Sequence, residues 1–257
     1  MSAVVRATPS PTAGRRAGAG LAGLAVLLCA ALAAPAAAAA TPPSAFSADY
    51  EVLQNGKPIG RGSISLRDLG GGRFELVTRS EGTQGLAAVA GVKREERSLL
   101  AWTGAALETR EYRMQQKAAW NSREHRVQVD PSTRRITSTW KGEATPLPWR
   151  AGVLERHGAT AAMMSALASG RETGTITFPI VGRRDLEDET YRFAARVRLR
   201  TAVGTLRAVR VERVREAGDG RVTKLWFARD RGWLPLRIKQ YEADGETLDM
   251  RIVAIRQ

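Results

Sequence analysis

The sequence predicts a mainly β protein: one curved antiparallel sheet of about ten to twelve strands, forming an open or closed barrel, with one short helix. Three observations predict it. From residue 46 onward apolar residues recur at every second position with few interruptions. Turn sequences, among them Asn55-Gly56, Gly70 to Gly72, Asp130-Pro131 and Ala243 to Gly245, punctuate that alternation at hairpin spacing. One segment alone, ATAAMMSALASG at 159–170, reads convincingly as helix.

Residues 1–40 are read as a leader outside that fold. MSAVVRATPSPTAGRR carries Arg6, Arg15 and Arg16 and no acid; AGAGLAGLAVLLCAALAA is an apolar core; Ala38 and Ala40 are the small residues a signal peptidase reads. Basic, apolar, then small is the order of a cleaved secretory signal, and no basic stop-transfer flank follows the core. The expectation is a periplasmic protein with no transmembrane segment in its mature form. Arg15-Arg16 is followed by AGAG where twin-arginine export uses a bulky apolar pair, so the general secretory route is expected. Cys29, the single cysteine, follows Leu28 and not a small residue, which argues against lipidation. Cleavage near Ala40 removes it, and with it disulfides, thiol catalysis and cysteine–zinc sites.

TPPSA, residues 41–45, is a linker, and 46–257 is read as a single β-rich domain. FSADYEV puts Phe46, Ala48, Tyr50 and Val52 on one face, and after the Asn55-Gly56 turn Ile64 and Leu66 resume the phase. RFELVTRS follows the glycine turn with Phe74 and Leu76 together. EGTQGLAAVAGV, residues 81–92, breaks the rhythm; small, apolar and glycine-bounded, it reads as a short helix or a flexible flap. KREERSLLAW and LETREYRMQQ return to strand, the second with Leu107, Thr109, Glu111 and Arg113 opposite Tyr112 and Met114. EHRVQVD and RRITSTW form a hairpin about Asp130-Pro131. Pro146 and Pro148 then bend the chain, since neither donates to a ladder and both argue against a central strand. In the helix, Thr160 is the candidate N-cap, Met163, Met164 and Leu167 form an apolar stripe, and Gly170 is the stop. TGTITFPIVG, an acidic loop RRDLEDE and TYRFAARVRLR follow, the last with Arg192, Arg196, Arg198 and Arg200 on one face. TLRAVRVERVRE leads through the AGDG turn to a closing meander whose strands are Val222 to Ala228, Leu234 to Glu242 and Glu246 to Arg256.

Catalytic chemistry finds little support. His125 and His157 are the only histidines, too few for a histidine–zinc site, and no G-x-S-x-G elbow is present. Both are read as surface or structural residues. Asp185, Glu187, Asp188 and Glu189 supply carboxylates, yet their spacing fits no calcium loop and Arg183 and Arg184 offset their charge. They are read as a solvated loop. Glu95 and Glu96 are adjacent on a strand and point to opposite faces. No catalytic residues, no metal site and no cofactor are expected.

Six tryptophans, Trp102, Trp120, Trp140, Trp149, Trp226 and Trp233, favour binding over catalysis, because several adjoin turns or prolines where a ring lines a mouth. The candidate ligand-binding residues are Trp226, Trp233, Leu236 and Arg237 of the closing strands and Met163 and Met164 of the helix. Trp226 and Leu236 are expected to pack, Arg237 and Lys239 to face solvent or rim the site, and Pro235 to start a strand.

FSADYEVLQNGKPIGRGSISL, the 159–170 helix, YRFAARVRLRTAVGTLRAVRVERV and KLWFARDRGWLPLRIKQYEADGETLDMRI together resemble the exported bacterial family called domain of unknown function 3108. The most specific element runs through Trp226, Pro235 and Arg237. The resemblance covers about Phe46 to Arg256 and implies a periplasmic, mostly antiparallel β protein; it assigns no activity and no catalytic residue. A weaker resemblance, of strand pattern only, is to periplasmic half-barrel lipoprotein carriers, which bind acyl chains in a concavity.

The net charge is +14, and removing the three leader arginines leaves +11. Such a balance suits contact with an anionic membrane surface, although the arginines are spread along the chain and not clustered. Export makes nucleic acid an unsuitable partner. The function expected is a non-catalytic binding or carrier protein for an amphipathic envelope ligand: a lipid, lipoprotein or glycolipid. The alternative is an envelope assembly factor acting through protein contacts, with a filled interior and an exposed apolar or basic patch. A carboxylate-dependent hydrolase of envelope polymers is the third.

Overall fold

The computed structural model describes residues 40–119, 121–215 and 220–256; the leader and Trp120 lie outside them. Fourteen strands and two helices follow in chain order. They are β1 (Phe46–Gln54), β2 (Lys57–Gly70), β3 (Arg73–Gly82), α1 (Gly85–Val89), β4 (Lys93–Trp102), β5 (Leu107–Ala118), β6 (Asn121–Asp130), β7 (Arg135–Trp140) and β8 (Glu143–Leu147). Then come α2 (Gly158–Ala168), β9 (Thr175–Val181), β10 (Leu186–Thr201), β11 (Gly204–Arg213), β12 (Val222–Ala228), β13 (Pro235–Tyr241) and β14 (Thr247–Arg256).

All fourteen strands belong to one sheet, in the order β8-β7-β6-β5-β4-β3-β2-β1-β14-β13-β12-β11-β10-β9. Two meanders are thus joined where the first strand pairs with the last. The expected strand number was too low by at least two, and the sheet is not closed by a ladder. Its two edges are instead tied by side chains and a single parallel bridge between Leu154 and Ile180. The Ser138 hydroxyl donates to the carbonyls of Gly182 and Arg183, and Arg150 pairs with Asp188 at 2.8 Å. Pro146 sits in β8, an edge strand, where a missing N–H costs no ladder bond.

The sheet curls around α2. Ala159, Ala161, Ala162, Met163, Met164 and Leu167 of that helix share one core with Tyr50, Ile64, Leu76 and Leu100 of the first meander. The same core holds Ile180, Phe193, Val211, Phe227 and Leu236 of the second. Nine of the eleven helical residues are buried, so the expected one-sided stripe is a helix buried all round. Its N-terminus differs from expectation too. Thr160 lies inside the helix, and the N-cap position is His157, which makes no side-chain cap bond. Glu155 caps instead, its Oε2 accepting the Gly158 N–H at 2.8 Å. A helix end sunk in a core has no water to satisfy its free amides, so a neighbouring carboxyl must do it. At the other end the 41–45 segment is tied down: Thr41 N–H donates to the Ser169 hydroxyl at 2.8 Å, and Ser165 donates to the Thr41 carbonyl.

Two strand readings are corrected by local geometry. In β5 a register shift opposite Leu99 and Leu100 turns the buried face from Leu107 and Thr109 to Tyr112 and Met114, a bulge that strict alternation does not anticipate. The acidic stretch is a loop only as far as Asp185, because β10 starts at Leu186. Glu189 is buried there, with Arg156 and Arg213 pairing its carboxylate.

Pro235 opens β13, as its missing N–H requires. Its carbonyl accepts a 2.6 Å bond from the buried Tyr50 hydroxyl, which ties β1 to β13 across β14. Tyr50→Phe leaves that carbonyl unpaired in the core, and a loss of about 1–3 kcal/mol in a denaturant melt is expected. An unchanged midpoint would show that the bond contributes nothing.

Candidate functional site

The six candidate residues do not gather around one interior space; only Leu236 and Arg237 line a common cavity, of about 420 Å³, with Glu51, Leu199 and Arg251. Met163 and Met164 belong to the helix that fills the interior, and Leu236 is fully buried in the same core. Trp226 is 8 % exposed, with the Arg237 guanidinium 5.1 Å from its ring centroid. Arg237 in turn donates to both oxygens of Asp249, at 2.8 and 2.6 Å, and Arg251 donates to the same carboxylate at 2.9 Å. Trp233 packs against the core from a turn, with φ of 61°. Residues 225–241 are therefore mostly wall: ring, guanidinium and carboxylate stacked and neutralised.

A polar patch does lie against the helix start. Cross-strand register sets two rows on the inner face, Leu76–Ser98–Tyr112–Val127–Ser138 and Thr78–Glu96–Met114–His125–Trp140. His157 reaches down onto them. Its Nδ1 is 2.7 Å from the Ser98 hydroxyl and its Nε2 is 2.9 Å from that of Thr78. His125 Nε2 meets the Ser138 hydroxyl at 2.9 Å, and the Tyr112 ring stands edge-on to His125 at 5.4 Å. Burial first, and then the Arg183 charge, pushes His125 down to about 4; burial does the same for His157. Burial pushes the Glu155 carboxyl up to about 7.

Serine, histidine and glutamate in one cluster invite a hydrolytic reading, and the geometry opposes it. Ser98 is wholly buried, and both nitrogens of His157 are already occupied by hydroxyls. A nucleophile must be reachable by its substrate and its base must be free to take the proton. Each histidine is engaged by hydroxyls, His157 by Ser98 and Thr78 and His125 by Ser138. The carboxylates of 185–189 do not cooperate either. Arg156 holds Glu187 and Glu189, and Arg150 holds Asp188.

The exposed feature that stands out is the flap between β3 and β4. Helix α1 has no buried residue, and Leu86 and Val89 are 86 % and 77 % exposed. The flap is nonetheless fixed at its base. Thr83 and Gln84 donate their N–H groups to the Ile59 carbonyl at 2.9 and 3.2 Å, and Ala119 N–H donates to Ala90 at 2.7 Å. A Cβ at Gly82 would lie 2.5 Å from the Ala87 carbonyl oxygen, so only glycine seats the helix this closely. Lys93 and Lys117 sit directly opposite each other beside it, exposed, and Lys57 lies two residues from Ile59. Among the described residues none of these three lysines has a carboxylate within ion-pairing distance. Like charges placed opposite on a sheet are unfavourable, which sets this corner apart from the arginine–carboxylate pairs elsewhere. The sequence signal for the flap was legible; that its apolar side faces outward was not.

Among the described residues no helix is long and apolar enough to cross a membrane, a statement that does not bear on strands. No group of three or more potential metal ligands occurs among them. The family model described as "Protein of unknown function (DUF3108)" matches residues 47–253. No curated protein matches the chain. A solved structure of a beta-barrel-like protein of domain of unknown function DUF1849, from Brucella abortus, is similar with a TM-score of 0.50 and 8 % identity. That similarity covers 84 % of this chain and 98 % of the other, and it speaks to fold. A protein with YmcC-like fold from Bacteroides fragilis has a TM-score of 0.29 and 9 % identity over 86 % of this chain and all of the other.

Proposed function

We propose that this chain, which belongs to the DUF3108 family of proteins of unknown function, is a non-catalytic, exported envelope protein that binds an amphipathic partner on its outside. The partner is an anionic lipid surface, and the contact is the flap at α1 with its lysines. The observation that carries this reading is the burial of α2 on every side. A carrier of the kind the strand pattern suggested needs an apolar concavity for an acyl chain, and here α2 occupies the centre of the concave core. Apolar contact is left to the outer surface, where Leu86 and Val89 stand clear of the core. Lys93 and Lys117, opposite each other at the ends of β4 and β5 next to the flap, and Lys57, two residues before the Ile59 that anchors it, supply exposed positive charge nearby. An apolar tip with basic residues nearby is how a protein surface rests on anionic headgroups. The leader predicts delivery to the compartment where such a surface is met.

Co-sedimentation of the mature protein with vesicles containing phosphatidylglycerol tests this. Binding is expected at low salt and weakens as salt rises. Leu86→Ser with Val89→Ser is expected to weaken it about tenfold or more, since each side chain contributes roughly 1.5–3 kcal/mol when buried. Lys93→Glu with Lys117→Glu should do the same, with melting unchanged. Equal binding by wild type and both variants would sink the proposal. A lipid recovered in fixed ratio from the purified protein by organic solvent would return the carrier reading.

A further inference from the structure

Beyond the flap, the open end of the inner face holds a second feature that the proposed function does not use. The cross-strand row above Thr78 and His125 is Ser80–Arg94–Gln116–Arg123, contributed by β3 to β6. Arg94 donates to the Gln116 amide oxygen at 3.0 Å and pairs with Glu96. Arg183 comes from across the seam and lays its guanidinium on the Trp140 ring, 4.0 Å from the centroid. Its backbone is fixed there, because Ser138 donates to the Arg183 carbonyl at 2.8 Å. Trp140 is itself braced edge-on by His125 at 5.8 Å. Arg156, just before α2, pairs with Glu187 and Glu189. Among the described residues neither Arg123 nor Arg183 has a carboxylate within ion-pairing distance.

Arg123 lies two residues before His125, the cross-strand partner of the Trp140 ring that carries Arg183, so the two guanidiniums are brought to one corner. Partial burial, and then the charges of Arg123, Arg156, Arg94 and Arg221, hold the Arg183 pKa below that of a free guanidinium. The carboxylates nearby do not cancel that field at Arg183. Many other arginines of the described residues do meet an acid, as with Arg237 and Asp249 or Arg207 and Asp230. What distinguishes the seam is the aromatic platform that holds one of its unpaired guanidiniums, Arg183, in place.

We propose that Arg123 and Arg183, with Arg94 and Arg156 behind them and Trp140 as a platform, form a binding site for a phosphate group. A tetrahedral oxyanion offers several acceptors at once and carries up to two charges, which suits planar donor forks arriving from different segments of the chain. The aromatic ring holds Arg183 in place before the ligand arrives, so less side-chain freedom is lost on binding. The group is either free phosphate or the phosphate of a lipid headgroup; the chemistry at the arginines is the same.

Calorimetric titration of the mature protein with inorganic phosphate, at low salt in a phosphate-free buffer, tests the site. One phosphate per chain is expected, and Arg123→Gln with Arg183→Gln should weaken it about 10- to 100-fold. Arg183→Lys should lie between, keeping the charge without the fork. The control is Arg198→Gln with Arg200→Gln, two exposed arginines of β10, expected within about twofold of wild type. Failure of the wild type to bind, or equal weakening in the control, would overturn the proposal. Tighter binding of dihexanoyl phosphatidic acid than of phosphate through the same arginines supports a lipid source, and equal binding supports the free anion. Leu86→Ser with Val89→Ser leaves this site intact, so the flap reading and this one fail separately.

Discussion

Truncating Met164 to alanine is expected to cost about 2–5 kcal/mol of folding stability, and truncating Met163 a similar amount. The two residues are adjacent in α2, so their side chains leave the helix about 100° apart. In a helix lying on a surface, one of such a pair is deep and the other shallow. Here both are buried, at 1 % and 0 % exposure. Each truncation therefore opens a hole in a close-packed interior, and on different sides of the helix. Denaturant melts should show both midpoints falling with the slope unchanged, since the surface exposed on unfolding is hardly altered. If either truncation cost less than about 1 kcal/mol, α2 would be a loosely held lid, and the argument for a filled interior would fail.

That result bears on what the sequence could and could not say. The strands were legible because hairpin turns and period-two alternation are local: Asn55-Gly56, Asp130-Pro131 and the closing meander all stand where they were expected. The helix was legible as well, yet its role was not. An alanine- and methionine-rich segment has the same periodicity on the outside of a sheet as inside it, and only the curl of fourteen strands decides. Bulges are also invisible to alternation, which is why Tyr112 and Met114 exchanged faces with Glu111 and Arg113 in β5. Acidic composition misled at Glu189. A run of aspartates and glutamates reads as solvated until Arg156 and Arg213, distant in sequence, arrive to neutralise one of them. The arginines at the seam carried no signal at all, because Arg94, Arg123 and Arg183 are far apart in the chain and arginine is common throughout it. The six residues singled out as ligand contacts were chosen for type and position near turns. Packing places four of them in the core, Arg237 on Asp249, and Trp233 against the core edge.

Glu155→Gln is expected to stabilise the protein above neutral pH, by about 3 kcal/mol. The carboxyl is buried beside Thr109, Ser98 and the start of α2, and burial holds its folded pKa at about 7 against 4.5 for an ordinary glutamate. The bonds from Ser98 and from the Gly158 amide pull the other way without cancelling that rise. A raised carboxyl pKa means the folded state keeps a proton that the unfolded chain releases. Stability is then whole below about pH 4.5, falls between 4.5 and 7, and stays lower above 7. At roughly 1.4 kcal/mol per unit the fall is of order 3 kcal/mol. Glutamine keeps an oxygen to accept the Gly158 N–H and has no proton to lose, so the fall should vanish. The histidines act from the opposite side. His125 and His157 are lowered to about 4, so the folded state refuses protons that the unfolded chain takes up below about 6.5, and stability drops as pH falls from 6.5 to 4. The lowered pKa of Asp249, where the Arg237 and Arg251 bonds outweigh burial, adds loss as pH falls further. The wild type should thus gain stability from pH 5 to about 7 and level off, and the variant should climb further over the same range, the gap reaching about 3 kcal/mol by pH 8. Denaturant midpoints measured from pH 5 to 8 on both proteins decide it. Parallel curves would mean that Glu155 is ionised without penalty in the folded state, through water or rearrangement reaching the start of α2.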